Sequence, residues 1–545
     1  MTDSAPGSAP LARYRQLYGS FRWEVPSRFN FGAHVVDHWA TDPKRLALLW
    51  ENEAGKAREL SFDEVRRESN RLAHCFLRSG VGPGDPVLLL LPRIPEWSIA
   101  MTAVIKLGAL AIPCSTLLRP RDLLYRARHS GARGIVTARG ALDTARAALE
   151  DLPELRCRLH VGDSAPTGWK TLPAALEGLP EEFEAAPTAA SDPALVYYTS
   201  GTTGGPKAVL HGHGYTFCQR YTAELWLGVG EGDRLWTTSD TGWAKAAYSV
   251  YFGPWSQGTT VFLYDGPFTP QKDLELLQRY GFDVFCAPPT EYRMLAKEDL
   301  SAIRLPTLRD AVSAGEPLNP EVIRAFREAL GITIRDGYGQ TESILLVGNF
   351  PGLPVKPGAM GYPMPGHEVV VLNDNGEEAP PETVGDIAVR DGPPSLFLEY
   401  WKDPEATRAC RRGSWYVTGD RGTRDKDGLF WFVGRADDVI ISAGYRIGPF
   451  EVESALLEHT AVLEAACVAS PDPDRGAVVK AFVVLRQGQE GSEELAIELQ
   501  DHVKRVTAPY KYPRRIEFVG ELPKTVSGKI RRVDLRRREE DGSRS

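Results

Sequence analysis

The sequence contains few cysteines, and none of them forms a pattern typical of a disulfide framework or a metal site. Its seven cysteines lie singly along 545 residues, without a C-x-x-C pair and without a short spacing to a pair of histidines. Disulfide frameworks and zinc sites place cysteines in close groups, whereas scattered cysteines are typical of reduced thiols in the cytosol. We therefore expect neither a disulfide-stabilised secreted fold nor a zinc site.

Long hydrophobic runs are also missing. The most apolar segment, WSIAMTAVIKLGALAIPCSTLL from Trp97, is interrupted by Lys106, Gly108 and Pro113. This pattern predicts a buried helix followed by a buried strand rather than a membrane span. The first residues, MTDSAPGSAPLARY, contain neither the apolar stretch of a secretion signal nor a run of arginines. A cytoplasmic protein without a membrane span is expected.

Positive charge is not in excess. Lys and Arg number 64 against 72 Asp and Glu, which gives a net charge of −8. Nucleic-acid-binding proteins depend on clustered positive charge, so this balance argues against nucleic acid as the partner. The basic stretch between Lys504 and Arg538 is interpreted as a solvated face or a polyanion site. Small-molecule substrates are expected, bound by a monomer or a small homo-oligomer.

The length of the chain and its hydrophobic pattern predict an α/β fold with several domains or subdomains. Short apolar runs alternate with helical periodicity from Pro86, and a second such series begins at ALVYYTSG, which predicts two parallel α/β subdomains. After about Gly348, short strands separated by Gly and Pro predict an antiparallel β unit. From about Ala436 a small α+β domain follows. We therefore expect a large N-terminal domain, residues 1–435, and a C-terminal domain, residues 436–545.

The stretch YYTSGTTGGPK, from Tyr197 to Lys207, has the composition of a phosphate-binding loop. Glycines and small hydroxyl residues expose backbone N–H groups without bulk, and the lysine adds a positive charge. The loop is not a Walker A motif, because Pro206 and Ala208 break that pattern. Taken alone, it is also compatible with a flexible surface turn.

Further stretches occur where a ligand cleft is expected. SAGEP at 313–317 and DGYGQTE at 336–342 each end a predicted strand of the second subdomain, the edge at which α/β sheets bind ligands. YVTGDRG at 416–422 and GRADDVIISAGYRIGP at 434–449 follow, and PKTVSGKIRR lies near the end of the chain. Each of them has an ordinary explanation as a turn, an exposed carboxylate or a helix cap.

As an ordered set, these motifs resemble the adenylate-forming superfamily, which comprises acyl-CoA synthetases, nonribosomal adenylation domains and firefly luciferase. The resemblance extends from about Phe21 to Arg538, and GYRIGPFEVESALLEH and VTAPYKYPRRIEFV are most similar to the medium-chain acyl-CoA synthetases. It implies that the chain joins a carboxylic acid to ATP, giving an acyl-adenylate and pyrophosphate, and then passes the acyl group to coenzyme A. The implied cofactors are ATP, Mg²⁺ and coenzyme A.

The resemblance also implies roles for individual residues. Thr341, Glu342 and Lys529 would be catalytic: Thr341 contacts the α-phosphate, Glu342 binds Mg²⁺, and Lys529 reaches the substrate carboxylate. Asp420 and Arg435 would bind the ribose. The remaining ATP-binding residues would hold the phosphates or enclose the adenine, with Tyr338 stacking on the base; they are Thr199, Ser200, Gly201, Thr202, Thr203, Lys207, Gly315, Glu316, Pro317, Asp336, Gly337, Tyr338, Gly339 and Gln340.

Other residues are assigned to the acid, to coenzyme A and to domain motion. Gly339 stands where acetate-specific relatives carry tryptophan, so Gly339, Trp243 and Tyr248 would line an open acyl pocket. Asp437 would be the hinge of a mobile C-terminal domain. The residues expected to contact coenzyme A are Gly444, Arg446, Arg475 and Lys504.

His211 and His213 have a spacing that is compatible with a metal site. No cysteine or carboxylate ligands accompany them in the sequence, so we place them instead between the phosphate loop and the acyl side.

Alternative functions share these motifs. A stand-alone adenylation enzyme would load the acid onto a separate carrier protein instead of coenzyme A. A nucleotide sensor without turnover need not retain Thr341, Glu342, Asp420 and Lys529 together. A luciferase-like monooxygenase has no feature in its favour. The favoured function is an acyl-CoA synthetase that acts on medium-chain fatty or aryl acids.

Overall fold

A computed structural model describes residues 8–199, 206–442, 445–472, 475–524 and 529–542. The strands are β1 Leu46–Asn52, β2 Ala57–Ser61, β3 Pro86–Leu90, β4 Leu110–Pro113, β5 Gly134–Ala138, β6 Cys157–Val161, β7 Lys170–Thr171, β8 Pro193–Thr199, β9 Lys207–Gly212, β10 Arg234–Thr237, β11 Thr260–Asp265, β12 Val284–Ala287, β13 Asp310–Ala314, β14 Ile334–Gly339, β15 Leu345–Gly348, β16 Ala359–Pro363, β17 Val369–Leu372, β18 Gly385–Arg390, β19 Glu399–Tyr400, β20 Arg411–Arg412, β21 Trp415–Arg424, β22 Phe430–Arg435, β23 Ile440–Ser442, β24 Tyr445–Ile447, β25 Val462–Asp472, β26 Gly476–Leu485 and β27 Arg515–Phe518. The α-helices are α1 Ser8–Ser20, α2 Asp37–Trp39, α3 Phe62–Arg78, α4 Pro95–Leu107, α5 Pro120–Ser130, α6 Leu142–Leu149, α7 Leu172–Leu176, α8 His213–Thr222, α9 Phe252–Ser256, α10 Pro270–Tyr280, α11 Pro289–Leu295, α12 Pro320–Leu330, α13 Pro404–Ala409, α14 Pro449–Leu457, α15 Glu493–Val506 and α16 Arg532–Gly542.

The first sheet has eight strands in the order β19-β9-β8-β4-β3-β5-β6-β7. Its centre is parallel, and β3, with the sequence PVLLL, is buried at every residue, as expected for a strand covered on both faces. The helix α4 is buried at all positions except Glu96 and leads into the buried strand β4. The interpretation of the longest apolar segment as a helix and a strand is therefore confirmed.

The second sheet has 14 strands and is the larger of the two. Its order is β17-β18-β21-β22-β16-β15-β14-β13-β12-β10-β11-β1-β2, with β20 paired to β21. The strands from β10 to β14 are parallel to their neighbours, and from β14 onward the pairing is antiparallel. The antiparallel unit expected as a separate element is thus a continuation of the second sheet.

One strand pairs differently from the sequence prediction, and another strand was not assigned to a subdomain from the sequence. The ALVYYTSG strand, β8, was expected to open the second subdomain, but it pairs with β4 in the first sheet. The early strand β1 pairs in parallel with β11 of the second sheet, for example Trp50 with Leu263. The reason is that hydrophobic patterning identifies a buried strand but carries no information about the neighbour it pairs with.

The C-terminal part forms a smaller α+β domain. It contains the hairpin β23–β24, the three-stranded sheet β25-β26-β27 and the helices α14, α15 and α16. Val452, Cys467, Val479 and Leu499 are among the residues of its core. The domain meets the large one at β22, and Asn319 Nδ2 donates to Ser454 Oγ at 3.1 Å. Within the described residues, no helix is long and apolar enough to cross a membrane.

Candidate active site

Asp420 is the centre of a buried group of hydrogen bonds between β14 and β21. The Tyr338 hydroxyl donates to Asp420 Oδ2 at 2.6 Å, and Gln340 Nε2 donates to the same oxygen at 2.5 Å. The antiparallel register places Arg435 opposite Asp420, with Nη1 3.4 Å from Oδ1. Burial raises the pKa of Asp420, and the Arg435 charge opposes that shift. The arrangement presents an oriented carboxylate that can accept hydrogen bonds from a ligand.

Gln340 is fixed on both sides of its amide group. The Tyr416 hydroxyl donates to Gln340 Oε1 at 2.8 Å, and Gln340 Nε2 also donates to the Thr418 carbonyl at 3.0 Å. Because a hydroxyl donor and a carbonyl acceptor face opposite ends of the amide, the orientation of the amide is determined. The turn after β14 is therefore attached firmly to β21.

The next two residues of the turn, Thr341 and Glu342, are held by the first sheet. His211 Nε2, on β9, is 2.8 Å from the Thr341 carbonyl oxygen. The Tyr400 hydroxyl, on β19, donates to Glu342 Oε1 at 2.8 Å, and the Phe397 amide donates to the Glu342 carbonyl at 2.8 Å. Burial raises the pKa of Glu342, and the Tyr400 hydrogen bond opposes that shift. The turn thus joins the two sheets.

His211 and His213 are buried and electrically neutral. Burial lowers the pKa of His211 to about 3 and that of His213 to about 4. Neither residue had a defined role in the sequence analysis, but the structure shows what His211 does. A carbonyl oxygen only accepts, so His211 must carry its proton on Nε2 and donate it to Thr341.

The phosphate loop connects β8 to β9. Ser200, Gly201, Thr202 and Thr203 lie outside the described residues. At its ends, Thr199 and Lys207 are paired across the two strands. Lys207 Nζ lies 4.7 Å from the centroid of the Tyr400 ring. Tyr400 was not singled out in the sequence, because an aromatic residue in EYWKDP has the pattern of an ordinary core position.

Lys529 lies among charged side chains of the large domain. The residue as a whole is exposed to solvent, whereas its ammonium group is surrounded by protein atoms. This burial lowers the pKa of Lys529; the Glu316 and Asp420 carboxylates oppose the shift, and the Arg435 and Lys245 charges add to it. The C-terminal domain therefore brings Lys529 to the same cleft as Asp420.

Lys245 is a cation of this cleft that the sequence did not reveal. It is half-buried, and its Nζ donates to the Ala314 carbonyl at 3.2 Å, next to the SAGEP turn. Trp243 and Tyr248 lie on the same segment, and the Tyr248 ring packs edge-on against Trp226 at 6.1 Å between centroids. In the sequence, GWAKAAY shows only a lysine among apolar residues, which does not indicate a binding site. The contact with Ala314 depends on the fold.

The SAGEP turn is open. Gly315 has a φ of 104°, a conformation that favours glycine, and a Cβ placed there would meet no atom within 4 Å. Glu316 accepts from the Thr290 hydroxyl at 2.8 Å. Pro317 follows in the same turn, while Asp336 and Gly337 pair with Ser313 and Ala314 across β13 and β14. The residues expected around the adenine are therefore neighbours.

Gly339, which was assigned to the acyl pocket, lies in a tight turn of the backbone. A Cβ on Gly339 would lie 2.7 Å from the Ile344 carbonyl oxygen and 3.2 Å from the Leu345 Cα. Two backbone segments approach closely here, so a larger residue would need the backbone to shift. A tryptophan at this position would have to displace the turn from Gly339 to Leu345, so substitution there is a poor test of pocket size.

The residues assigned to coenzyme A lie on the C-terminal domain. Gly444 lies outside the described residues, as does the side chain of Arg446. Arg475 is exposed, and its amide donates to Asp472 Oδ1 at 3.1 Å. Lys504 Nζ donates to Asp501 Oδ1 at 2.8 Å and lies 4.3 Å from the Tyr512 ring centroid.

An exposed aromatic pair on the same domain was not predicted. The Tyr445 and Tyr510 rings stack with 4.5 Å between centroids, and both remain more than two-fifths exposed.

Asp437, the predicted hinge, lies between β22 and β23. Its backbone carbonyl accepts from Arg536 Nη1 at 3.1 Å, and Arg536 also contacts Asp438. Among the described residues, the Asp437 amide donates no hydrogen bond.

The site has the ligands for a metal ion that is bound jointly by the protein and by a substrate phosphate. The described residues contain no group of three or more His, Cys, Asp or Glu side chains that could hold a metal ion by themselves. Mg²⁺ binds through one or two carboxylates and substrate phosphates. Glu342, beside the phosphate loop, fits that mode.

Comparison with known proteins identifies relatives over nearly the whole chain. The family model for AMP-binding enzymes matches residues 35–401, and that for the AMP-binding enzyme C-terminal domain matches residues 451–529. The uncharacterized acyl-CoA ligase YtcI of Bacillus subtilis is 46% identical over 95% of this chain and 97% of its own length. The mitochondrial acyl-coenzyme A synthetase ACSM3 of Mus musculus is 42% identical over 97% of this chain and 94% of its own length.

Solved structures of CoA ligases have a fold similar to that of this chain. The anthranilate CoA ligase AuaEII in complex with anthranoyl-AMP is 32% identical, with a TM-score of 0.89 over 96% of this chain and 99% of that chain. A benzoate CoA ligase from Burkholderia xenovorans LB400 is 30% identical, with a TM-score of 0.82 over 93% of this chain and 100% of that chain.

We predict that His211 stays neutral and protonated on Nε2 from about pH 8 to about pH 5, because burial lowers its pKa to about 3. NMR of the histidine ring nitrogens measures this, and His211→Gln assigns the signal by removing it. If the His211 ring instead became protonated near pH 6.5, about the ordinary pKa of histidine, the hydrogen bond to Thr341 would be contradicted.

Proposed function

The chain belongs to the family of AMP-binding enzymes, and from this we propose that it is an ATP-dependent acyl-CoA synthetase. It converts a carboxylic acid, ATP and coenzyme A to acyl-CoA, AMP and pyrophosphate through an acyl-adenylate, acting on medium-chain or aryl acids. The observation that carries the proposal is the position of Lys529, which shares one cleft with Glu316, Asp420 and Arg435.

In the first half-reaction, the acid's carboxylate attacks the α-phosphate of ATP. The nucleophile is already an anion, so no general base is required, and catalysis consists of positioning and charge neutralisation. We assign this neutralisation to Lys529, with Thr341 contacting the α-phosphate. Mg²⁺, when bound at Glu342, neutralises phosphate charge. Thr199, Lys207 and the loop between them hold the departing pyrophosphate.

The nucleoside is assigned to the turns at the ends of β13, β14 and β21. Asp420 accepts the ribose hydroxyls, because its carboxylate is fixed by Tyr338 and Gln340 and faces Arg435. The base is assigned to the open turn at Gly315, where the half-buried Tyr338 ring would stack on it.

The second half-reaction requires the thiol of coenzyme A to reach the acyl carbon. Lys529 occupies that cleft, so the C-terminal domain has to turn away, and a hinge of a few loop residues is the usual means. We place the hinge at Asp437 and the domain boundary between residues 435 and 436. Coenzyme A is assigned to Gly444, Arg446, Arg475 and Lys504, and the exposed Tyr445 lies between the first two of them.

The acid is assigned to the space beside Trp243, Tyr248 and the Gly339 turn. Two of the solved relatives are named as ligases of anthranilate and benzoate, both aryl acids. The described cysteines are all free thiols, in keeping with a cytoplasmic location, which we propose on that basis.

We predict that the enzyme prefers hexanoate or benzoate to acetate, because each methylene buried in the pocket contributes about 0.8 kcal/mol, or roughly fourfold. Pyrophosphate release is measured for each acid, with coenzyme A, with a phosphopantetheine-bearing carrier protein, and with neither. Thioester formation on the carrier alone would identify a carrier-loading enzyme instead. Absence of acid-dependent pyrophosphate release for all acids would contradict the proposed function.

We predict that Lys529→Ala abolishes adenylation but leaves the conversion of pre-made acyl-AMP to thioester largely intact. Losing a charge-assisted contact in the transition state costs about 3 kcal/mol, or roughly a hundredfold. Lys524→Ala is the matched control, because Lys524 lies nearby and pairs with Glu464 at 2.8 Å. An equal loss in both half-reactions would refute the role.

We predict that Asp437→Pro forms acyl-AMP at a near-normal rate but makes thioester at least about tenfold more slowly, because proline fixes φ near −65° and blocks rotation at the hinge. The substitution removes no backbone hydrogen bond among the described residues, since the Asp437 amide donates none. It does remove the carboxylate, which lies 3.7 Å from Arg536 Nη2 and 4.0 Å from Arg435 Nε. Asp437→Asn, which leaves φ free, is the control. Full thioester formation by the proline variant would place the hinge elsewhere.

A further inference from the structure

Tyr400 lies between the end of the phosphate loop and the carboxylate of Glu342. The register of β19 and β9 pairs Tyr400 with Val209. Lys207 is two residues earlier on β9, so its side chain points to the same face of the strand as that of Val209. The Lys207 ammonium accordingly lies 4.7 Å from the centroid of the Tyr400 ring.

The other end of Tyr400 holds Glu342. Its hydroxyl donates to Glu342 Oε1 at 2.8 Å, while the Phe397 amide, three residues earlier, donates to the Glu342 carbonyl at 2.8 Å. Tyr400 is itself rigid: it is 5% exposed, and its amide donates to Thr407 Oγ1 at 2.9 Å. One side chain thus contacts both a cation and a carboxylate of the site.

We propose that Tyr400 is a positioning residue for the magnesium–nucleotide complex: its hydroxyl orients the Glu342 carboxylate for the cation, and its ring holds Lys207 for the phosphates. This inference rests on the proposed function. A donor fixed on one carboxylate oxygen sets the direction of the other, and such partners of metal ligands typically affect metal affinity by 10- to 100-fold. Lys207 on an aromatic face keeps its N–H groups for phosphate oxygens.

The two contacts can be separated by substitution. Tyr400→Phe removes the hydroxyl but keeps the ring, including its packing against Phe397 at 4.9 Å between centroids. Tyr400→Leu removes both the hydroxyl and the ring. Tyr18→Phe is the matched control, because the Tyr18 hydroxyl also donates to a protein oxygen, the His367 carbonyl at 2.9 Å, outside the site.

The experiment measures equilibrium binding of ATP to the full chain without acid or coenzyme A, once with Mg²⁺ and once with EDTA. We expect Tyr400→Phe to weaken binding about tenfold with Mg²⁺ and not with EDTA. Tyr400→Leu should also weaken binding in EDTA, by about two- to fivefold, because Lys207 loses the ring. Tyr18→Phe should change neither value.

The role of Glu342 provides a second measurement. Glu342→Gln should reproduce the magnesium-specific loss, and adding Tyr400→Phe to it should cause no further loss, because the hydroxyl acts through that carboxylate. The inference is overturned if Tyr400→Phe binds normally, if it loses affinity equally with Mg²⁺ and EDTA, or if Glu342→Gln shows no magnesium-specific loss. Failure of the unsubstituted protein to bind ATP with Mg²⁺ would overturn the proposed function and this inference together.

Discussion

The hydrogen bonds that hold the turn from Tyr338 to Glu342 are the constraint on which the rest of the site depends. On one side, Asp420 and Tyr416 of β21 hold Tyr338 and Gln340. On the other side, His211 and Tyr400 of the first sheet hold Thr341 and Glu342. The turn is therefore shared between two sheets that are otherwise built around separate groups of strands. Buried hydrogen bonds of this kind keep groups in place because leaving one unpaired is costly.

This shared turn explains how distant motifs serve one reaction. The predicted phosphate loop lies between β8 and β9 of the first sheet, whereas the turns assigned to the nucleoside belong to the second. His211 lies on the strand that leaves the phosphate loop and contacts the turn that leaves β14. On the proposed function, the phosphates and the nucleoside of one ATP molecule span the junction of the two sheets, so any change in their packing also changes the spacing of the two halves of the nucleotide site.

The sequence predicted much of this arrangement, and its omissions have a physical cause. Alternating periodicity identified the strands and helices, and turn motifs marked the strand ends, because both depend on neighbours along the chain. It did not assign β1 and β8 to their sheets, since pairing partners lie far away in sequence. Lys245 and Tyr400 were missed for the same reason: each acts through a contact with a distant segment, at Ala314 and Glu342. Gly339 was noticed, but its close approach to Ile344 depends on the folded turn.

On the proposed function, the charges around Lys529 link substrate binding to the position of the C-terminal domain. Burial and the neighbouring Arg435 and Lys245 charges disfavour the protonated ammonium, whereas the Glu316 and Asp420 carboxylates favour it. A nucleotide and a carboxylate bring negative charge to the same place, so they favour the protonated lysine and hold it in the cleft. Loss of pyrophosphate removes a large part of that charge. The attraction between Lys529 and the cleft then weakens. On the proposed function, this is the stage at which the C-terminal domain has to rotate away.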